Sequence, residues 1–296
     1  MGLGVPTFTD FTYIDTHVHI LPPHLHEALV RFFQQHKDEG YWDIIYQDAP
    51  PKLISYLLAQ RVERFFVLSY AHKPNMSRQL NYWARHLAKR YPQAVPVCAV
   101  HPLDDDPLQV LEEAFFELGA IGVKVHPGVQ GVSPAAECMF PIYERLIELD
   151  RPIFFHAGTT PNPDPYSGHE HFERLVQRYP QLTLVIAHMG TRQTEYFFDL
   201  MEAYDNIWMD NALTFSYEKC FGYPSTLDKL YRFQDRIMYG SDFPFLWLEP
   251  RVVVERFLAE GLEQAIYEKV FYGNAARFLQ RYLPLSNASP QSGASS

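Results

Sequence analysis

Cysteine is scarce. The 296 residues contain three, Cys98, Cys138 and Cys220, an odd number with no CxxC pair, which excludes a disulfide framework and a cysteine metal cage. The cytosol is therefore the expected compartment. Long hydrophobic runs are also missing: nothing approaches the about 18 consecutive apolar residues of a membrane span, and the first twelve residues lack the basic and apolar regions of a signal peptide. Without secretion, the sequons Asn75-Met76-Ser77 and Asn287-Ala288-Ser289 carry no meaning. Positive charge is sparse and unclustered against a formal net charge of -10. No basic stripe exists to neutralise phosphates, so a nucleic-acid surface is excluded; an anionic substrate would have to rely on local positive charge. No GxGxxG follows any strand-like run, which removes the main support for a doubly wound, dinucleotide-binding sheet.

What the chain does have is a repeated alternation of apolar runs and helical periodicity. Strand-like runs start at Tyr13, Arg64, Val95, Ile121, Pro152, Leu182, Ile207 and Arg236, each followed by a helical pattern. Eight such units, each apolar enough to be covered on both faces, predict a distorted (β/α)8 TIM barrel with its site at the C-terminal ends of the strands. A long aromatic insertion after the first strand should lie over those ends, and additional helices occupy much of 250–282. Residues 1–283 read as one barrel domain. The Ser/Ala/Pro/Gly-rich tail 284–296 is expected to be disordered.

The first strand carries Asp15, His17 and His19. Strand alternation puts all three on one face, and two imidazoles there can share a divalent metal such as zinc. A second HxH, His24 and His26, falls on a predicted helix. There, residues two apart diverge, and both histidines read as solvated surface. Polar residues recur where the other strands end: Lys124 and His126, His156, His188, and Asp242. The interior of a barrel is filled with branched apolar side chains, so this concentration at one edge points to a metal site.

Several segments resemble the amidohydrolase superfamily: Asp15-Thr16-His17-Val18-His19, Gly122-Val123-Lys124-Val125-His126-Pro127, Phe154-Phe155-His156-Ala157-Gly158, Ile186-Ala187-His188-Met189-Gly190, Tyr239-Gly240-Ser241-Asp242-Phe243-Pro244 and Gly273-Asn274-Ala275. The closer likeness is to the amidohydrolase-related branch that includes aminocarboxymuconate-semialdehyde decarboxylase, and it runs from about Tyr13 to Leu283. The resemblance implies a distorted barrel, one divalent metal (zinc, with manganese, iron or cobalt as alternatives) and hydrolysis or non-oxidative decarboxylation. By motif position it implies His17, His19, His156 and Asp242 as metal ligands and His188 as a catalytic acid or base. Asp242 can also take a proton from a metal-bound water, whose pKa zinc brings to about 7. Asp15 either orients one of the two histidines or is purely structural.

Lys124 and His126 are expected to face the substrate; the alternative is a carboxylated Lys124 bridging two metals. Arg192, at the start of a helix, suits an anionic group, although surface charge accounts for it as well. His169 and His171 read as exposed. The leading expectation is a metal-dependent hydrolase of a small polar, carboxylate-compatible substrate. The alternatives are a metal-dependent carboxy-lyase and an inactive binding protein on the same barrel. No nucleic-acid or membrane partner is expected, and a homodimer is compatible with the composition.

Overall fold

The computed structural model describes residues 6–159, 164–216 and 227–283. Cys220 and the tail 284–296 lie outside the described residues. β1 (Tyr13–Val18) leads into α1 (Pro23–Gln35) and α2 (Pro50–Ala59), then β2 (Val62–Leu68), α3 (Ser77–Arg90), β3 (Ala94–Ala99), α4 (Pro107–Phe116) and β4 (Val123–Val125). The second half continues with α5 (Pro127–Gln130), α6 (Phe140–Glu148), β5 (Ile153–Phe155), α7 (His169–Arg178), β6 (Leu184–Ile186), α8 (Thr194–Ala203), β7 (Ile207–Asp210), α9 (Asp228–Phe233) and β8 (Ile237–Met238). The chain closes with α10 (Pro250–Leu258), α11 (Gln264–Glu268) and α12 (Asn274–Tyr282).

The strands pair in parallel in chain order from β1 to β8. The seam between β8 and β1 is stitched by the Thr16 N–H on the Tyr239 carbonyl at 2.9 Å and a parallel bridge between Val18 and Phe243. The fold is a TIM barrel. Helix starts follow local chemistry: α1, α2, α4, α5 and α10 each begin on proline. At that position the missing N–H costs nothing and φ is already helical. α4 is also capped by the Asp106 side chain, which accepts from the Gln109 N–H at 3.0 Å, a contact worth about 1 kcal/mol.

Alternation along the strands builds two apolar layers. Ile14, Phe66, Val95, Val97, Phe154, Val185 and Met238 fill the barrel interior, and Ala275, Phe278, Leu279 and Tyr282 of α12 plug it from below. Phe65, Val67, Val123, Val125, Ile153, Phe155, Leu184 and Ile186 face outward into the larger core beneath the helices. Fully burying one such aromatic is worth about 1.5–3 kcal/mol. None of the described helices is long and apolar enough to cross a membrane.

The segment between β1 and α2 covers the opposite, C-terminal end, as expected of the insertion. It is anchored by the Trp42 indole N–H on the Phe245 carbonyl at 2.9 Å and the Ile45 N–H on the Leu246 carbonyl at 2.9 Å. The expectation for the second HxH is corrected in one residue. His24 is exposed, but His26 is only 2 % exposed and its ring stacks near Phe245. The start of α1 at Pro23 turns His26 toward the barrel.

Candidate active site

β1 departs from simple alternation. Asp15 pairs with Phe65 but Val18 with Val67, so three steps on β1 oppose two on β2. This one-residue bulge re-aims the side chains that follow it. Ile14 belongs to the interior cluster and Asp15 points the other way; beyond the bulge, His17 and His19 face the interior. The predicted common face for Asp15 with the two histidines is therefore wrong. The Asp15 carboxylate accepts from the His17 N–H at 3.1 Å, the Ser241 N–H at 3.0 Å and the Ser241 hydroxyl at 2.5 Å. It braces the β1–β8 seam, and burial pushes its pKa up to about 7.

Three donor atoms meet at the mouth. His17 Nε2 lies 3.1 Å from His19 Nε2 and 3.4 Å from Asp242 Oδ1, and His19 Nε2 lies 3.1 Å from the same oxygen. Hydrogen bonding fixes the tautomers. His19 Nδ1 meets the Leu68 carbonyl at 2.7 Å, which can only accept, so Nδ1 carries the proton and Nε2 a lone pair. His17 Nδ1 meets Asp210 Oδ2 at 2.9 Å in the same way. Two lone pairs and a carboxylate oxygen thus converge with no donor among them. Ligands about 2.0–2.2 Å from one ion stand about 2.8–3.6 Å apart for angles between 90° and tetrahedral, a range that contains all three sides of this triangle, so these residues fit a divalent metal. His17, His19 and Asp242 form one candidate cluster; His17, His188 and Asp210 form another.

Asp242 is positioned by strained backbone. Its φ is 66°, and its N–H is held by the His17 carbonyl at 2.9 Å. His188 is placed by a run of left-handed residues after β6: His188 (φ 56°), Met189 (49°), Gly190 (73°) and Thr191 (38°). Non-glycine residues in such regions cost about 1–3 kcal/mol each and persist where packing over-determines them. That packing comes from two glycines. A Cβ on Gly158 would overlap Thr191 Oγ1 and the Gly190 carbonyl, and one on Gly190 would overlap the Phe197 ring. The Asp210 carboxylate accepts from the His188 N–H at 2.9 Å and the Ala212 N–H at 3.1 Å, and His188 Nδ1 donates to the Ala212 carbonyl at 3.2 Å. Burial holds the His17, His126, His156 and His188 rings well below the usual histidine range, so all four are neutral.

His156 stands apart from the donor triangle. Its ring stacks on His126 at 3.9 Å between centroids and lies 5.0 Å from His188. Lys124 is 1 % exposed, and among the described residues its Nζ has no hydrogen-bond partner. Burial pushes its pKa down to about 8, against the pull of the Asp210 and Asp242 carboxylates. Above this floor sits a cavity of about 180 Å³, walled by Phe32, Phe33, Tyr41, Trp42, Tyr70 and Phe245, with Val129 and Asp164 also lining it.

The family model described as Amidohydrolase matches residues 14–281. The chain belongs to the amidohydrolase family. The barrel of this amidohydrolase is similar to solved structures at low identity, which carries the fold. A dihydroxybenzoic acid decarboxylase from Polaromonas sp. JS666 with bound manganese and 2-nitroresorcinol has a TM-score of 0.67 at 16% identity, covering 93% of this chain and 98% of that one. A 5-carboxyvanillate decarboxylase from Novosphingobium aromaticivorans, complexed with manganese, has a TM-score of 0.65 at 16% identity over 95% and 99%. An uncharacterised TIM-barrel protein from Bordetella bronchiseptica has 0.67 at 18% over 92% and 99%. A search of curated proteins finds no match.

Of the residues singled out in the amidohydrolase sequence, His17, His19, Lys124, His126, His156, His188 and Asp242 all line the one cavity. Arg192 does not. It is exposed, because the left-handed turn carries the chain out of the mouth before reaching it. His171 is bonded to Ser133 and to the Pro165 carbonyl, and the His169 ring stacks on Tyr196, so neither is a free surface histidine. Asp210 was missed, although its signal was present: a carboxylate at the same edge of the seventh strand.

Proposed function

We propose that the protein is a metal-dependent carboxy-lyase that removes the carboxyl group of a small planar acid as carbon dioxide. The observation that carries this reading is the cavity: an aromatic wall on one side, and on its floor an unpaired buried amine beside a donor triangle. A cavity of about 150 Å³ accommodates benzene, so about 180 Å³ suits a single ring bearing a carboxyl group. The decarboxylases similar in fold, which act on dihydroxybenzoic acid and 5-carboxyvanillate, support an aromatic acid.

A zinc or manganese ion held by His17, His19 and Asp242, with His156 as a further ligand, would supply Lewis-acid polarisation of the substrate carboxylate. Lys124, charged below about pH 8, neutralises the same carboxylate from the floor. His188 has its Nδ1–H committed to the Ala212 carbonyl, which leaves Nε2 to take the proton of a hydroxyl next to the carboxyl. Asp242 delivers a proton to the carbon that bears the carboxyl group. The carbon–carbon bond then breaks, its electron pair returns to the ring, carbon dioxide leaves, and His188 Nε2 gives its proton back to the ring oxygen. The Asp242 side chain, 13 % exposed, is reloaded with a proton through the mouth. The aromatic wall keeps bulk water from the ring.

The test is carbon dioxide release from hydroxylated benzoic acids and enoic acids by metal-loaded protein, with loss of release in Asp242→Asn. Release of acid from amides or lactones of these compounds, with no carbon dioxide from the free acids, would restore the hydrolase reading. No turnover of either class would favour a binding protein.

A further inference from the structure

The mouth holds an acidic side chain that the proposed reaction does not use. Asp164 lines the cavity beside Val129. Its Oδ1 accepts from the backbone N–H groups of Tyr166 at 2.8 Å and Ser167 at 2.9 Å. The turn is itself pinned: His171 Nε2–H donates to the Pro165 carbonyl at 2.9 Å, and His171 Nδ1 accepts from the Ser133 hydroxyl at 2.8 Å. On its other side the carboxylate presses on α5. A Cβ on Gly128 would overlap Oδ2 and stand 2.6 Å from Cγ, so this carboxylate occupies its place only because residue 128 has no side chain. With Oδ1 committed to two amides, Oδ2 is the oxygen left for a ligand. A carboxylate only accepts hydrogen bonds. A substrate hydroxyl or amine is therefore attracted there, and a second carboxylate is repelled.

We infer that Asp164 is a specificity-determining residue. It selects, among small planar acids, those whose ring also carries a hydroxyl or amino group away from the reacting carboxyl, and it excludes dicarboxylates. The inference rests on the carboxy-lyase reading for the identity of the first carboxyl group, but its test is one of binding. Metal-loaded protein is titrated calorimetrically with 3-hydroxybenzoate, 3-aminobenzoate and isophthalate. Wild type should bind the first two at least about tenfold more tightly than the dicarboxylate, since like charges placed together cost several kcal/mol. Asp164→Asn should bring that ratio close to one by tightening isophthalate. Gly128→Ala keeps the charge but displaces it, and should shift the ratio in the same direction; melting temperatures establish that both variants fold. A ratio unchanged in both folded variants overturns the inference. Failure of the carboxy-lyase reading looks different: no carbon dioxide comes from benzoic acids that carry a hydroxyl next to the carboxyl, such as 2,3- and 2,5-dihydroxybenzoate, while the binding ratio and its collapse in the variants persist.

Discussion

The two ends of the barrel interior are built by the same strands and obey opposite rules. Along β5, Phe154 sits in the packed apolar interior, and His156, the next inward position just past the strand's end, lines the cavity. The step from one to the other is about 6.6 Å of strand. Below that step the inward side chains pack into one apolar cluster with α12. Above it, several imidazoles are held out of water and kept neutral by burial, and the same burial pushes the Lys124 amine down to about 8. The lower layer and the α12 plug provide the stability that the upper layer spends, so the two should respond separately to mutation.

The sharpest way to break this separation is a pair of variants. His17→Ala should reduce the metal from about one ion per chain to near none and take turnover to background. Phe154→Ala should keep the metal stoichiometry while losing about 3–5 kcal/mol of stability, as truncated core aromatics do. Metal analysis and denaturant unfolding read the two effects. If Phe154→Ala loses its ion as completely as His17→Ala, the ends are not independent. Next in size, His188→Asn should retain the ion and lose about 10²- to 10⁴-fold in turnover, the range for a proton-transfer group; less than a tenfold loss on the true substrate would remove it from the chemistry.

Asp210→Asn tests how far the upper layer depends on a residue that never reaches substrate. Losing the carboxylate that orients the His17 ring should weaken metal affinity by about 10- to 100-fold, measured by competition with a chelator, with the fold intact. The smallest effect concerns Lys124. Its amine titrates near 8 when folded and about 10.4 when unfolded. Below pH 8 both states are charged and the full cost of burying the charge is present. Between those two values the unfolded chain binds more protons, so wild-type stability rises with pH. Lys124→Met in metal-free protein should therefore be more stable than wild type at neutral pH, with the advantage fading as pH climbs from about 8 toward 10.4. A stability difference that is flat with pH would show that the amine is not held unpaired in solution.

The barrel was legible because eight apolar runs announce eight strands regardless of detail, and the cavity floor because polar residues recur at one strand edge. What escaped depended on geometry that no hydrophobic pattern records. A one-residue bulge on β1 sent Asp15 to the seam while turning His17 and His19 inward. His26 reads as surface on a helix until Phe245, brought over from the far end of the chain, covers it. Arg192 looked well placed by sequence distance alone, before the left-handed turn that precedes it was known. The hydrolase expectation itself came from a donor set that serves both chemistries; the aromatic wall that favours a planar acid is assembled from α1, the loop after it, Tyr70 and Phe245, and forms only in three dimensions.

Gly158 and Gly190 give the mouth its dimensions through atoms they lack. The ends of β5 and β6 touch where Gly158 meets the Gly190 carbonyl and Thr191, and the Phe197 ring fills the space a side chain on Gly190 would take. A single methyl group on Gly158 would act as a spacer, pushing the two strand ends apart and with them the His156 and His188 rings that now lie 5.0 Å from each other, and one on Gly190 would push the turn that carries His188 away from the Phe197 ring of α8. Neither glycine could bind, donate or accept anything through a side chain, yet each sets a tolerance to which the reacting groups are held.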